Sequence, residues 1–335
     1  MTDRQHGKPD GRALADRALD GDRRAVARLL TLVENGHPEG QVALARLFPR
    51  SGHAHVVGFT GSTGAGKSTL VNRVAQVYRQ RDRELAVVAV DPTSPFSGGA
   101  LLGDRLRMRD LVNDPGVFIR SMASRGHPGG LAHATRDVVT VLDALGVPVI
   151  LVETVGAGQA QVEVARVAHT VVLVEAPGMG DDVQALKAGL LEIADIIVVN
   201  KADRPESRQT LQTLRSARLG ASSGASEDEE ATAWTVPILE TSALEGQGVT
   251  ELVDAMIAHR DYLKTSRRWE ALRARHARAE IDAWVQRHMQ ALMGEYVDDE
   301  EIQEAVEAVV NRERDPASAA WTLVDTLVEH LRGQA

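Results

Sequence analysis

Residues 61 to 69 read Gly61-Ser62-Thr63-Gly64-Ala65-Gly66-Lys67-Ser68-Thr69, between the apolar run HVVGFT and the helical pattern LVNRVAQVY. Strand, glycine-rich loop and helix in that order make up the phosphate-loop motif. The glycines let backbone N–H groups turn inward around an anion, and the helix N-terminus adds partial positive charge. Lys67 supplies a point charge for the β- and γ-phosphates, and the Ser68 hydroxyl can ligate Mg²⁺. A nucleoside triphosphate is the ligand this pattern predicts.

The base is addressed further along. Asn200-Lys201-Ala202-Asp203 follows the apolar run ADIIVV, and Thr241-Ser242-Ala243-Leu244 follows VPILE. A carboxylate at Asp203 can accept from both N1–H and the exocyclic amine of guanine. Adenine presents an acceptor at N1 and would leave that carboxylate repelled and unsatisfied, which selects GTP over ATP. Asn200 would brace the loop, the Lys201 stem would cover the base, and the backbone of Ser242 to Leu244 would donate to the guanine O6. Alone, the four residues from Asn200 also read as a surface turn ending a strand.

Acids at strand ends supply the remaining chemistry. Glu153 closes PVILVE and is followed by Thr154-Val155-Gly156, where a carboxylate can reach an Mg²⁺ shell through water and the Gly156 N–H can bond the γ-phosphate. A helix-capping acid is the alternative for Glu153. Asp91 ends the second strand in a proline-stiffened turn, fit for an Mg²⁺ contact or for orienting water, or simply a turn Asp. Asp104 follows a glycine stretch that could close over the nucleotide, and it equally reads as an N-cap. Lys67, Asp91 and Glu153 are therefore the candidate catalytic residues. Ser68, Asp91, Asp104 and Glu153 are the candidate metal ligands.

These loops need a scaffold with all of them at one edge. Short β-branched runs occur at Val56–Phe59, Leu85–Val90, Val117–Ile119, Val149–Val152, Val171–Val174, Ile196–Val199 and Val236–Leu239, mostly separated by helical stretches. Buried apolar strands alternating with helices predict an α/β fold with a mostly parallel sheet covered on both faces. Ahead of it, Val26, Leu29, Leu30 and Val33 fit one face of a helix capped by Asp22, and a second short helix runs to Leu47. After Gly248 the pattern is helical. Ile281, Trp284, Val285, Met289 and Leu292 form one stripe, and Ile302, Val306, Val309 and Val310 another. Trp269, Trp284 and Trp321 lie in this tail, as packing anchors or as a homodimer surface. The expected divisions are a helical extension at 1–50, the nucleotide-binding domain at 51–262 and a helical arm at 263–335.

Composition narrows the class. The 335 residues carry 38 Lys plus Arg against 47 Asp plus Glu, a net charge of −9, and no cysteine. An acidic chain without a basic block argues against nucleic-acid binding, and the missing thiols exclude disulfides and thiolate metal sites. The polar start and the lack of an apolar run of about 18 residues argue against a leader or a membrane span, so a cytoplasmic address is expected.

In order, GSTGAGKST, DPTSP, GGALLGDRLRM, SMASRGHPGGLA, ETVGAGQ, PGMGDD and NKAD resemble the MeaB/ArgK family of G-protein chaperones of adenosylcobalamin-dependent acyl-CoA mutases. The first and last motifs are common to many GTPases, and those between are far more specific. The resemblance implies a SIMIBI-class P-loop GTPase, homodimeric through its C-terminal helical arm. It would bind GTP or GDP with Mg²⁺ and gate adenosylcobalamin loading into a mutase, methylmalonyl-CoA mutase first. Isobutyryl-, ethylmalonyl- and hydroxyisobutyryl-CoA mutases are the alternative partners. Met179 to Lys187 looks like the family's third switch. His127-Pro128 departs from the usual family pattern, and proline removes a backbone donor there. A nickel metallochaperone GTPase and a non-catalytic nucleotide-regulated module are the rival readings.

Overall fold

The structure is a computed structural model that describes residues 10–91, 109–123, 130–154, 160–178, 184–221 and 234–333. Seven strands form one all-parallel sheet: β1 (His55–Gly61), β2 (Leu85–Asp91), β3 (Val117–Ala123), β4 (Val149–Thr154), β5 (Thr170–Glu175), β6 (Ile196–Asn200) and β7 (Ile238–Thr241). Their order across the sheet is β3-β2-β4-β1-β5-β6-β7. Every strand expected from the apolar runs is present. β7 begins two residues later than its run, at Ile238, and the preceding Pro237 still accepts the Ile197 N–H through its carbonyl.

Helices α1 (Gly11–Leu19), α2 (Arg23–Glu34) and α3 (Pro38–Leu47) precede the sheet, and α4 (Lys67–Gln80) follows β1. Next come α5 (Gly130–Ala144), α6 (Gln184–Ile193), α7 (Ser207–Ala221) and α8 (Val249–Thr265), with single turns at Arg109–Val112 and Ala160–Glu163. Asp22 caps α2 as expected, its carboxylate accepting from the Arg24 and Ala25 N–H groups. Helix α1 carried no clear apolar stripe in the sequence. Leu14, Ala15 and Ala18 bury it, and Asp10 caps it.

Strand residues alternate between the faces. Val56, Val88, Ile150 and Val152 pack with Leu29, Leu30 and Val33 of α2 and with Val138 and Leu142 of α5. Val57, Phe59, Val87 and Leu151 point the other way, onto Leu70, Val71 and Val74 of α4 and onto Leu252 and Met256 of α8. The helical extension is thus a cover for one sheet face. Each fully buried leucine there contributes roughly 2 kcal/mol by burial. Leu173, Ile197 and Val199 make a third cluster with Leu190, Leu211 and Leu214.

The chain divides into two compact units, up to Leu272 and from Arg273 onward. The second unit holds most of α9 (Arg268–Tyr296), then α10 (Asp299–Val310) and α11 (Pro316–Gly333). Asp298 and Glu301 form a capping box at the start of α10. Within the first unit Trp269 is buried and stacks on His169 at 4.2 Å between ring centroids. Trp321 is 67% exposed, so the tail's tryptophans do not share one packing role.

Candidate functional site

Parallel register brings the candidate residues to one edge. Phe59 lies opposite Glu153, Gly61 opposite Val174, and Asn200 opposite Thr241, so β1, β4, β5, β6 and β7 end together. Between β1 and α4 the loop closes with Gly61, Gly64 and Gly66 all at positive φ. Two of these have no room for a side chain: a Cβ on Gly61 would sit 2.0 Å from the Val174 carbonyl oxygen, and one on Gly66 would sit 2.5 Å from Asn200 Nδ2.

Lys67 opens α4, and its buried ammonium donates to the carbonyls of Gly61 at 2.8 Å and Ser62 at 3.0 Å. Among the described residues its third N–H donor has no hydrogen-bond acceptor, which suits an anion held by the loop. Burial lowers the Lys67 pKa, and the charges of Glu153 and Glu175 oppose that shift. Next in the helix, Ser68 Oγ donates to Glu153 Oε1 at 2.5 Å, and both residues are buried. Ser62 Oγ donates to Glu175 Oε2 at 2.8 Å. Two strand-end carboxylates therefore flank the loop.

Asn200 joins the loops. Its Nδ2 donates to the Ala65 carbonyl at 2.8 Å, while its Oδ1 accepts from Thr241 Oγ1 and from the Ala243 N–H, each at 3.1 Å. Lys201, at φ 60°, lays its side chain along the loop and donates from Nζ to the Gly64 carbonyl at 2.8 Å. Asp203 is exposed, and its Oδ1 accepts from Ser242 Oγ at 2.9 Å. The turn after β7 is closed by Ser242 N–H to the Gln247 carbonyl at 3.0 Å and Gly246 N–H to the Ser242 carbonyl at 2.8 Å. Of the three backbone donors expected to face a base, those of Ser242 and Ala243 are engaged within the protein. Leu244 N–H has no partner among the described residues.

Thr63 and Thr69 lie in the loop and the first turn of α4, with Thr63 exposed. Asp91 ends β2 opposite Ala123 in register; its side chain, and all of Asp104, Gly156, His127 and Pro128, lie outside the described residues. So does most of the segment from Met179 to Lys187, of which only the backbone from Gln184 is described, within α6.

Three contributors escaped the sequence reading. Glu175 ends the run VVLVE much as Glu153 ends VILVE, and that likeness was the available signal. Thr241 belongs to the segment the sequence points to, but nothing in the sequence assigns its hydroxyl to Asn200. Arg73 reaches from α4 to the carbonyls of Ala243 and Leu244, although an arginine on an amphipathic helix reads as solvent-facing. The assembled edge offers a lysine, a hydroxyl with a carboxylate, and an amide that locks a phosphate loop to a turn with a carboxylate on its rim. Such a set can hold a polyphosphate and read a purine's hydrogen-bonding edge.

Comparison with known proteins agrees. Residues 26–297 match the family model described as methylmalonyl-CoA mutase-associated GTPase MeaB. A Pyrococcus horikoshii protein named as a GTPase is 45% identical over 317 residues, spanning 94% of this chain and 98% of its own length. The GTPase ArgK of Escherichia coli is 36% identical over 271 residues, 77% of this chain and 78% of its own. A mouse protein named as the mitochondrial methylmalonic aciduria type A homolog is 32% identical over 256 residues, 71% of this chain and 60% of its own. The crystal structure of a LAO/AO transport system kinase superimposes with a TM-score of 0.70 and 26% identity, covering 94% of this chain and 96% of that one. With the phosphate loop and the turn after β7 on one sheet edge, the chain is a GTPase and belongs to the methylmalonyl-CoA mutase-associated (MeaB) family.

Proposed function

We propose that this GTPase is a chaperone of an adenosylcobalamin-dependent acyl-CoA mutase, methylmalonyl-CoA mutase foremost, using GTP binding and hydrolysis to gate cofactor loading and to protect the mutase. The observation that carries the nucleotide half is the hydrogen-bonded unit centred on Asn200, which ties the phosphate loop at Ala65 to the turn at Thr241 and Ala243. The mutase half is supported by the family's description. Against a nickel metallochaperone stand the absence of cysteine and, among the described residues, of any cluster of three metal-ligating side chains.

In this reading the α4 N-terminus and Lys67 hold the β- and γ-phosphates, Asp203 reads N1–H and the 2-amino group of guanine, and the Lys201 stem covers the base. The Ser68 hydroxyl and the Glu153 carboxylate, 2.5 Å apart and both oxygen donors, suit Mg²⁺. Ser68 would contact the ion and Glu153 would hold its water shell, with Asp91 and Asp104 as further candidates. When bound, the ion would neutralise charge on the β- and γ-phosphates. Glu153 then links β4 to the nucleotide, so losing the γ-phosphate alters what the residues after β4, Gly156 among them, can bond. Hydrolysis by the chain alone should be slow, since no arginine of the described site stands as an obvious cis finger.

A homodimer through the C-terminal arm belongs to the same reading. It is supported by exposed apolar side chains on α9 (Ile281, Val285 and Met289) and on α10 (Ile302, Val306 and Val310). A cytoplasmic location accords with the absence, among the described residues, of any helix long and apolar enough to cross a membrane. The test is co-purification with each candidate mutase in the presence of GDP or a non-hydrolysable GTP analogue. Nucleotide-dependent association with one mutase is expected. Association with none of them, or indifference to nucleotide, would refute the chaperone role.

A further inference from the structure

Arg73 lies six residues beyond Lys67, on α4, and spans the gap to the turn after β7. Its Nε donates to the Ala243 carbonyl and its Nη2 to the Leu244 carbonyl, each at 2.9 Å, while Nη1 donates to Gln76 Oε1 at 3.0 Å. The guanidinium is a planar fork of fixed donors, so two successive carbonyls held this way have their directions fixed together. In a trans peptide the N–H points opposite to the carbonyl, and no peptide bond here is cis. Fixing the Ala243 and Leu244 carbonyls toward α4 therefore fixes the Leu244 and Glu245 N–H groups away from it. Neither N–H has a partner among the described residues.

Little else orients these two peptide planes. The Leu244 side chain is 77% exposed and provides no packing anchor. Asn200 holds the Ala243 N–H, one peptide earlier, and the Gly246 N–H bond to Ser242 closes the turn one peptide later. Asp203 is attached to the same turn through Ser242 Oγ. We propose that Arg73 is a positioning residue for guanine selectivity, clamping the Ala243 and Leu244 carbonyls so that the Leu244 and Glu245 N–H groups are held ready for the purine 6-oxygen. This rests on the reading of Asp203 and the Ser242–Leu244 turn as the base-contacting elements. It adds a residue from the phosphate-side helix to that task and couples α4 to the base.

The test compares GDP with 6-thio-GDP, which keeps N1–H and the 2-amino group but replaces the 6-oxygen by a poor acceptor. For Arg73→Met, GDP affinity is expected to fall by about tenfold, with 6-thio-GDP affinity changing by less than about twofold, so the ratio between them collapses. In turnover the loss should fall on KM for GTP rather than on kcat. Arg73→Lys, which can reach one carbonyl but cannot fork, should lie between the two. An equal loss for both nucleotides, or no loss, would overturn the proposal. Asp203→Asn, measured alongside, separates the two readings: if it fails to move preference toward xanthosine diphosphate, the base assignment itself is wrong. If it does move the preference while Arg73→Met leaves GDP binding intact, only the role of Arg73 falls.

Discussion

Replacing Asn200 should damage stability and nucleotide binding together, because one buried amide serves two loops. Asn200→Ala removes three hydrogen bonds, to the Ala65 carbonyl, Thr241 Oγ1 and the Ala243 N–H, at a side chain that is 2% exposed. Three partners then need new bonds in a site closed to water, at a net cost of about 1 kcal/mol each, and more for any left unpaired. The expected loss of unfolding free energy is about 3 kcal/mol in the nucleotide-free protein, measured by urea titration. GDP affinity should fall at least tenfold besides, since the phosphate loop and the turn proposed to contact the base lose their common reference. Asn200→Asp dissects the effect. It keeps an acceptor for Thr241 and Ala243 but sets an oxygen against the Ala65 carbonyl, so it severs the phosphate-loop link alone. Its stability loss should be at least as large, since a buried carboxylate would face a carbonyl oxygen, and its affinity for GDP should fall at least as far. If Asn200→Ala costs under about 1 kcal/mol and leaves GDP affinity unchanged, the two loops are positioned independently and the reasoning fails.

Other consequences can be checked with the same preparations. Lys67→Ala should abolish tight GTP binding, as read by equilibrium dialysis, and unchanged affinity would mean the triphosphate lies elsewhere. Asp203→Asn should shift preference from GTP to xanthosine triphosphate, whose 2-oxygen can accept from the new amide; competition binding decides. Gly61→Ala should destabilise by more than about 2 kcal/mol, because φ is 129° and the new Cβ would lie 2.0 Å from the Val174 carbonyl oxygen; a melting temperature within 2 °C of the parent would contradict this. Stability should also fall on acidification through two buried histidines, His55 at the start of β1 and His259 on α8. Burial holds His259 down at about 4 and pushes His55 well below its ordinary value, so both are neutral when folded. The unfolded chain, with imidazoles near 6.5, takes up protons that the folded chain excludes, and stability is therefore lost as pH falls from about 6.5 toward 4. At pH 5, His259 alone accounts for about 2 kcal/mol of that loss. His259→Gln should flatten the profile of urea midpoints against pH, and an unaltered slope would assign the acid sensitivity to other groups.

The sheet was legible because its inner strands are buried on both faces and so read as continuous apolar runs, and because the loops that carry chemistry follow directly on those runs. Asn200 and Lys201 were legible for the same reason: they stand where β6 stops, and a parallel sheet delivers every such stop to one edge. Long-range side-chain partnership was not legible. Arg73 is 170 residues from Ala243, and nothing local distinguishes an arginine that clamps a distant turn from one that solvates a helix. Helix α1 escaped for a related reason, since three of its four buried positions are glycine or alanine, whose burial follows from close approach rather than from apolar bulk. Gly11 makes the point: a Cβ there would lie 2.0 Å from the Glu39 carbonyl oxygen, so α1 and α3 meet backbone to backbone at a spacing no hydropathy pattern encodes. The same holds at this edge of the sheet, where the distance between Gly66 and Asn200 sets how closely the phosphate loop and the turn proposed to contact the base can approach. That distance depends on both residues at once, and a change at either should be felt at both ends of the nucleotide.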